Sequence, residues 1–136
     1  MRVFTLADAI AVHGKEPLDY LDRDMLVPLI SRACAQGDIS VLRITTKAAE
    51  TPIPRDGVVL LSGQGGHTHS LHGPGQFDFV TSRTDSLVIG ILTVPEEAEL
   101  PVLLHHDEHG DFQIAPGTYR VGRQREFAGE WRAVAD

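Results

Sequence analysis

The sequence predicts a mainly β protein, a small β-barrel or sandwich with an N-terminal helical segment. Two observations predict it. Apolar residues recur at spacings of three and four as far as Leu29, then change to runs and to alternation of period two after Gly37. The runs beyond Gly37 are short, rich in Val, Ile and Leu, and parted by Gly and Pro turn signals, the pattern of a barrel or sandwich.

Leu6, Ala7, Ile10 and Ala11 are expected on one face of a first helix, capped by Thr5 or Asp8 and ended by Gly14 and Pro17. Leu18, Leu21, Met25 and Leu29 continue a helical spacing, with Pro28 forcing a kink or a later start near Asp24. Gly37 is the expected C-terminal cap of that stretch. Strands are then expected in ISVLRIT (40–46), VVLLS (58–62), SLVIGILTV (86–94), PVLLHH, DFQIAPGTYRVGRQREF and WRAVA. Residues 1–37 are thus a helical segment and 38–136 a barrel, together one domain over 1–136, with no repeat and no linker.

The chain has 136 residues, 42% of them hydrophobic and 23% charged, which is the composition of a protein with a real core. A net charge of −7 argues against long nucleic acid, whose binding needs Lys and Arg on phosphates, but leaves room for a small anionic ligand in a local basic pocket. The single Cys34 excludes an internal disulfide and a multi-cysteine zinc site. No apolar run approaches the ~20 residues of a membrane span, and the N-terminus reads as mature protein. The expected compartment is the cytoplasm.

Six of the seven histidines fall in two short clusters. In Gly66-His67-Thr68-His69-Ser70-Leu71-His72, a strand projects His67 and His69 together and leaves His72 out of phase. In His105-His106-Asp107-Glu108-His109, His106 and Glu108 share a face if the strand continues, and His109 joins them only past a turn. His13 stands apart and reads as an isolated surface histidine.

Two chemistries use convergent histidines. One is a cupin-like metal site from His67, His69, His106 and His109, with Glu108 able to complete it. The match to cupin motifs is loose: no Glu follows the H-x-H at short distance, and no His follows Pro116-Gly117. The other is acid–base cleavage of a phosphodiester without metal or cofactor, since imidazole titrates near neutral pH. Such cleavage needs cationic donors on the phosphate, and Arg120, Arg123 and Arg125 follow the second cluster. Tyr119, Val121, Arg123 and Arg125 would alternate onto one strand face.

Gln36-Gly37-Asp38, Gly66-His67-Thr68-His69, His106-Asp107-Glu108-His109, Pro116-Gly117-Thr118-Tyr119 and Gln124-Arg125-Glu126 follow one another in a recognisable order. In this order the chain resembles a group of short bacterial and phage β-proteins with the pattern Q-G-D, G-H-x-H, H-x-E-H, P-x-G-x-Y and Q-R-E. It is also similar in kind to a CRISPR-associated family of small ring nucleases that degrade cyclic oligoadenylates in antiviral defence. The resemblance implies metal-independent cleavage by basic residues. The departures are the N-terminal segment 1–36 and Gln64-Gly65, where an acidic residue is commoner.

The resulting expectation is a homodimeric phosphodiesterase acting on a small cyclic oligonucleotide. His67 or His69 is its base and His106 or His109 its acid, with Arg123 and Arg125 on phosphate and Tyr119 and Gln124 lining the pocket.

Overall fold

The computed structural model describes residues 4–15, 22–62, 68–80, 87–98, 100–123, 125–127 and 131–133, with backbone only for 62, 125–127 and 131–133. One helix is described, α1 (Leu6–His13). Thr5 caps it: its hydroxyl accepts from Asp8 N at 3.3 Å, while the Asp8 carboxylate accepts from Thr5 N at 2.8 Å. Gly14 ends it in the left-handed region, φ 70°, with its N–H on Ile10 O. The buried positions are Leu6 and Ala9, whereas Ala7 and Ala11 face solvent. The expected apolar face is therefore rotated, and the true one carries on to His13 at i+7 from Leu6.

The second expected helix is absent among the described residues. Residues 22–27 form turns and a return along the start of α1, where Val27 N donates to Phe4 O and Leu6 N to Met25 O. Pro28 lacks the N–H a helix interior would use, and β1 (Leu29–Ile30) follows at once. β2 (Ala33–Gln36) and β3 (Ile39–Arg43) then form a hairpin with Gln36 opposite Ile39. Gly37, at φ 56°, is the first loop residue of that hairpin and not a helix cap. Leu18 and Leu21 lie outside the described residues; among the described residues, the segment expected to be helical over 1–37 holds one short helix followed by two strands.

The remaining strands are β4 (Val58–Ser62), β5 (Thr68–His72), β6 (Gln76–Phe79), β7 (Val88–Val94), β8 (Val102–His106), β9 (Gly110–Ile114) and β10 (Gly117–Arg123). They form two five-stranded sheets, ordered β1-β9-β8-β5-β4 and β2-β3-β10-β7-β6. The sheets do not close into a barrel; they face each other as a sandwich. Ile39, Val41, Leu92, Tyr119 and Val121 of the second sheet pack against Leu60, Leu71, Val102, Leu104 and Ile114 of the first. The single strand expected through Arg125 breaks after Arg123, and β11 (Arg125–Phe127) pairs instead with β12 (Trp131–Ala133) in a separate two-stranded sheet. No helix among the described residues is long and apolar enough to cross a membrane.

The centre of the first sheet, at β8, is buried on both faces. Its inner face is the sandwich core. Its outer face is covered by α1, through Leu6, Ala9, Phe4 and Val27 packed with Leu103. That is why β8 is buried along its whole length instead of alternating.

Candidate functional site: two histidine clusters on opposite faces of one sheet

Alternation along β5 and β8 divides the histidines. Leu71 and Leu104 are an opposed pair in the sandwich core, and Ser70 is opposite His105 on the other face. His69 and His106 come one step further along the two strands and point inward, with ring centroids 4.3 Å apart. Ser70, His72 and His105 point outward, beneath α1.

The inner cluster lies at the end of the sandwich where β2, β8 and β10 finish and β3, β5 and β9 begin. His69 and His106 are fully buried. His109, on the β8–β9 turn, is exposed, and its ring lies 4.4 Å from that of His106 and 6.3 Å from that of His69. The Nδ1 of His106 accepts two backbone hydrogen bonds, from Glu108 N and His109 N, both at 3.1 Å. An accepting Nδ1 has no hydrogen, so the neutral ring carries its hydrogen on Nε2.

The second sheet contributes Gln36 and Asp38, both 2% exposed. The Gln36 amide NH2 donates to Leu104 O at 3.2 Å and to Gly110 O at 2.7 Å. Its Oε1 is 3.0 Å from His69 Nδ1, which must therefore donate to it. Asp38 Oδ1 lies 3.2 Å from His69 Nε2, an electrostatic contact and not a well-aligned hydrogen bond. Arg123 ends β10 opposite Ile39, a core residue, so its side chain starts toward the interior at this same end. Its Nε is buried and has no hydrogen-bond partner among the described residues.

The outer cluster is a separate assembly. Asp111 Oδ1 accepts from His105 Nδ1 at 2.6 Å and Oδ2 accepts from His13 Nε2 at 2.8 Å. His13 Nδ1 in turn accepts from Lys15 N at 3.0 Å. His72 Nε2 is 2.8 Å from Ser70 Oγ, and the rings of His13 and His72 are 5.2 Å apart. Burial opposes the Asp111 charge, but the hydrogen bonds from His105 and His13 outweigh it and hold the carboxyl below its usual range. Burial pushes His72 down to about 4, helped by the neighbouring His13, His105 and Lys15 and opposed by Asp111.

Of the residues expected in one site, the fold gathers His69, His106, His109 and Arg123 at one end. His67 and Gln124 lie outside the described residues, and of Arg125 only the backbone is described, in the separate β11–β12 sheet. Tyr119 does not line this end. It is fully buried, its hydroxyl donates to Ala115 O at 2.7 Å, and Arg43 lies over its ring at 5.9 Å. It is four residues from Arg123 on the same strand, roughly 13 Å at the usual rise, so it belongs to the core.

His13, expected at the surface, has a fully buried side chain, because the helix face that buries Leu6 and Ala9 reaches it. The sequence reading also missed Gln36 and Asp38 as partners of His69. Their signal was present in the Gln36-Gly37-Asp38 motif, read as a mark of resemblance without a role.

Among the described residues, two sets bring ligand-type atoms within 4.8 Å of one another: His106, Glu108 and His109 in the inner cluster, and His13, His105 and Asp111 in the outer one. In both, at least one imidazole already accepts a backbone N–H on Nδ1, which puts its hydrogen on Nε2, the nitrogen a metal would need. Cys34 packs against the core, and burial pushes its thiol up to about 11, so it is no nucleophile near neutral pH. A cavity of about 340 Å3 opens at the opposite end of the sandwich, between Phe4, Leu29, Val94, Leu100 and Ile114, and no histidine among the described residues lines it.

No curated protein and no solved structure matches the chain significantly. A family model does match, over residues 35–124. That span holds every residue of both clusters except His13. The chain belongs to the family described as Domain of unknown function (DUF8820).

Proposed function

We propose that the inner cluster binds a small phosphodiester, a cyclic oligonucleotide such as a cyclic oligoadenylate, and cleaves it by acid–base chemistry without metal. The observation that carries this reading is Arg123, whose inward Nε is buried with no partner among the described residues. A buried guanidinium N–H is costly to leave unpaired. A phosphate oxygen is its natural acceptor, taken in the forked geometry that Arg favours.

In this reading the 2′-hydroxyl of the ligand attacks phosphorus and gives its proton to a histidine base. The P–O5′ bond breaks and the leaving oxygen takes a proton from a second histidine, leaving a 2′,3′-cyclic phosphate. His109, expected as an acid, is exposed at the rim and suits the base instead. The donor is His106, whose ring carries its hydrogen on Nε2, and Arg123 stabilises the charge growing on phosphorus oxygens. The working species is taken to be a cytoplasmic homodimer; exposed Val59 and Phe79 on edge strands β4 and β6 are apolar surface a second copy would cover.

The His106–Glu108–His109 convergence favours a second reading, a cupin-like metal site. Its weakness is the accepting Nδ1 of His106. One experiment separates the two. Untagged protein is assayed for metal content and, with and without EDTA, for cleavage of a panel of cyclic oligonucleotides. Cleavage that survives EDTA supports the acid–base reading. Stoichiometric metal bound through the inner cluster, or no cleavage of any member, overturns it.

A further inference from the structure

The cavity at the far end of the sandwich from the inner histidines has no part in the cleavage scheme above. Its volume is about 340 Å3. That is the lower end of the roughly 300–1,000 Å3 usual for ligand pockets, room for a body of one ring. Separate parts of the chain wall it: Phe4 ahead of α1, Leu29 of β1 beside Ile114 of β9, and Val94 at the end of β7 with Leu100 in the loop that follows. Leu29 is 44% and Leu100 52% exposed, apolar surface that a bound molecule would cover.

The polar groups on these walls favour one sign of charge. Pro95, Pro101 and Pro116 bring carbonyl oxygens and no N–H. Gln113 and Ala115 commit their N–H groups elsewhere. Gln113 N donates to Pro28 O at 2.8 Å, its NH2 to Val27 O at 2.9 Å, and Ala115 N to Ile30 O at 2.8 Å. Among the described lining residues the one charged side chain is that of Glu96, exposed at the rim, with no Lys, Arg or His beside it. An anion entering here would meet a carboxylate and no compensating cation. A cation would meet complementary charge, in a chain whose net charge is already −7.

We propose that this cavity binds a small amine, its apolar body between the walls and its ammonium at Glu96. The site shares no residue with either histidine cluster, so it is filled or empty independently of the inner end. Phe4 also packs with Leu6, Ala9, Val27 and Leu103, the contacts that seat α1 on the first sheet. An occupant against Phe4 braces that packing, and amide exchange in Leu6–His13 should slow when the amine is bound.

The test is an amide NMR titration of the full-length protein with three molecules of one shape: 2-phenylethylamine, 2-phenylethanol and 3-phenylpropionate. The amine should shift the amides of Val94, Leu100 and Ala115 with a dissociation constant of about 1 mM or tighter. The alcohol should bind at the same residues about threefold more weakly, because an exposed ion pair contributes only a small factor, and the carboxylate more weakly still. High salt should erase the advantage of the amine and leave the alcohol unchanged. Glu96→Gln changes an exposed side chain, so it should fold as wild type and bind amine and alcohol alike. Leu100→Ala should weaken all three together.

An amine that binds the wild-type protein no more tightly than the alcohol overturns the proposal. So does a Glu96→Gln variant that keeps the preference for the amine. Absence of shifts at these three amides, with every molecule taken to its solubility limit, removes the site altogether.

Discussion

His105 and His106 are neighbours in the chain and members of different buried clusters. His105 gives its Nδ1 hydrogen to Asp111 beneath α1, while His106 faces the sandwich interior beside His69. The pleat of β8 separates them, so changes at one should spare the other.

The outer cluster should hold α1 down without touching chemistry. His13→Ala removes a hydrogen bond to a buried carboxylate and should cost about 1.5–3 kcal/mol of stability. Asp111→Asn should cost at least as much, because its amide N–H would oppose a histidine N–H. Chemical denaturation and amide exchange in Leu6–His13 measure both, and cleavage per folded molecule should be unchanged. A silent His13→Ala would mean that α1 is held by Leu6 and Ala9 alone.

Stability should fall on mild acidification. His72 stays neutral in the fold down to about 4, whereas in the unfolded chain it takes up a proton near its ordinary 6.5. Between those values the unfolded state binds more protons, so stability rises with pH across that window and is lost as pH falls through it. The full loss is up to about 3 kcal/mol, complete near pH 4. Asp111 adds a further loss below its unfolded value, as its lowered folded pKa is approached. Urea titrations of wild type and His72→Gln across this range should differ in slope.

Gly57 should accept no side chain. It sits at φ 89°, and a Cβ there would lie 2.3 Å from His72 Cε1 and 2.8 Å from Leu71 O. Gly57→Ala must strain the backbone and push His72 off Ser70, at a cost of about 1–3 kcal/mol. A melting temperature equal to wild type would show that the strand pair β4–β5 yields more easily than this packing allows.

Arg123→Lys keeps the charge but loses the fork. Phosphodiester binding should weaken by about 1.5–3 kcal/mol, roughly 10- to 150-fold, with little change in melting temperature, since the side chain is only half-buried. Calorimetry with a non-cleavable phosphorothioate analogue reads the affinity. Equal affinity in Arg123→Lys and wild type would remove phosphate from the role of Arg123.

The single His106→Ala variant should lower cleavage by about 10²-fold or more. His105→Ala, one residue from His106, should leave turnover per folded molecule intact while lowering stability. Activity lost equally at His105 and His106 would contradict the division of β8 into two faces.

The mainly β class and most strand positions were legible from local pattern alone, because period-two runs and Gly or Pro turns are properties of neighbouring residues. Alternation also showed that His72 is out of phase with His69. The second expected helix is not formed over the described residues from Asp22 onward, because Met25 and Leu29 keep helical spacing while Pro28 and the pairing of Leu29–Ile30 with β9 decide otherwise.

What covers each face was beyond local pattern. His13 and Asp111 are 98 positions apart, and only the docking of α1 on the outer face of the first sheet joins them. Gln36 and His69 come from different sheets and meet only because the sandwich closes over them. A sequence displays the period of its own chain. The partner of a buried polar group is chosen by packing between distant segments, where an unpaired donor is costly and the nearest acceptor wins.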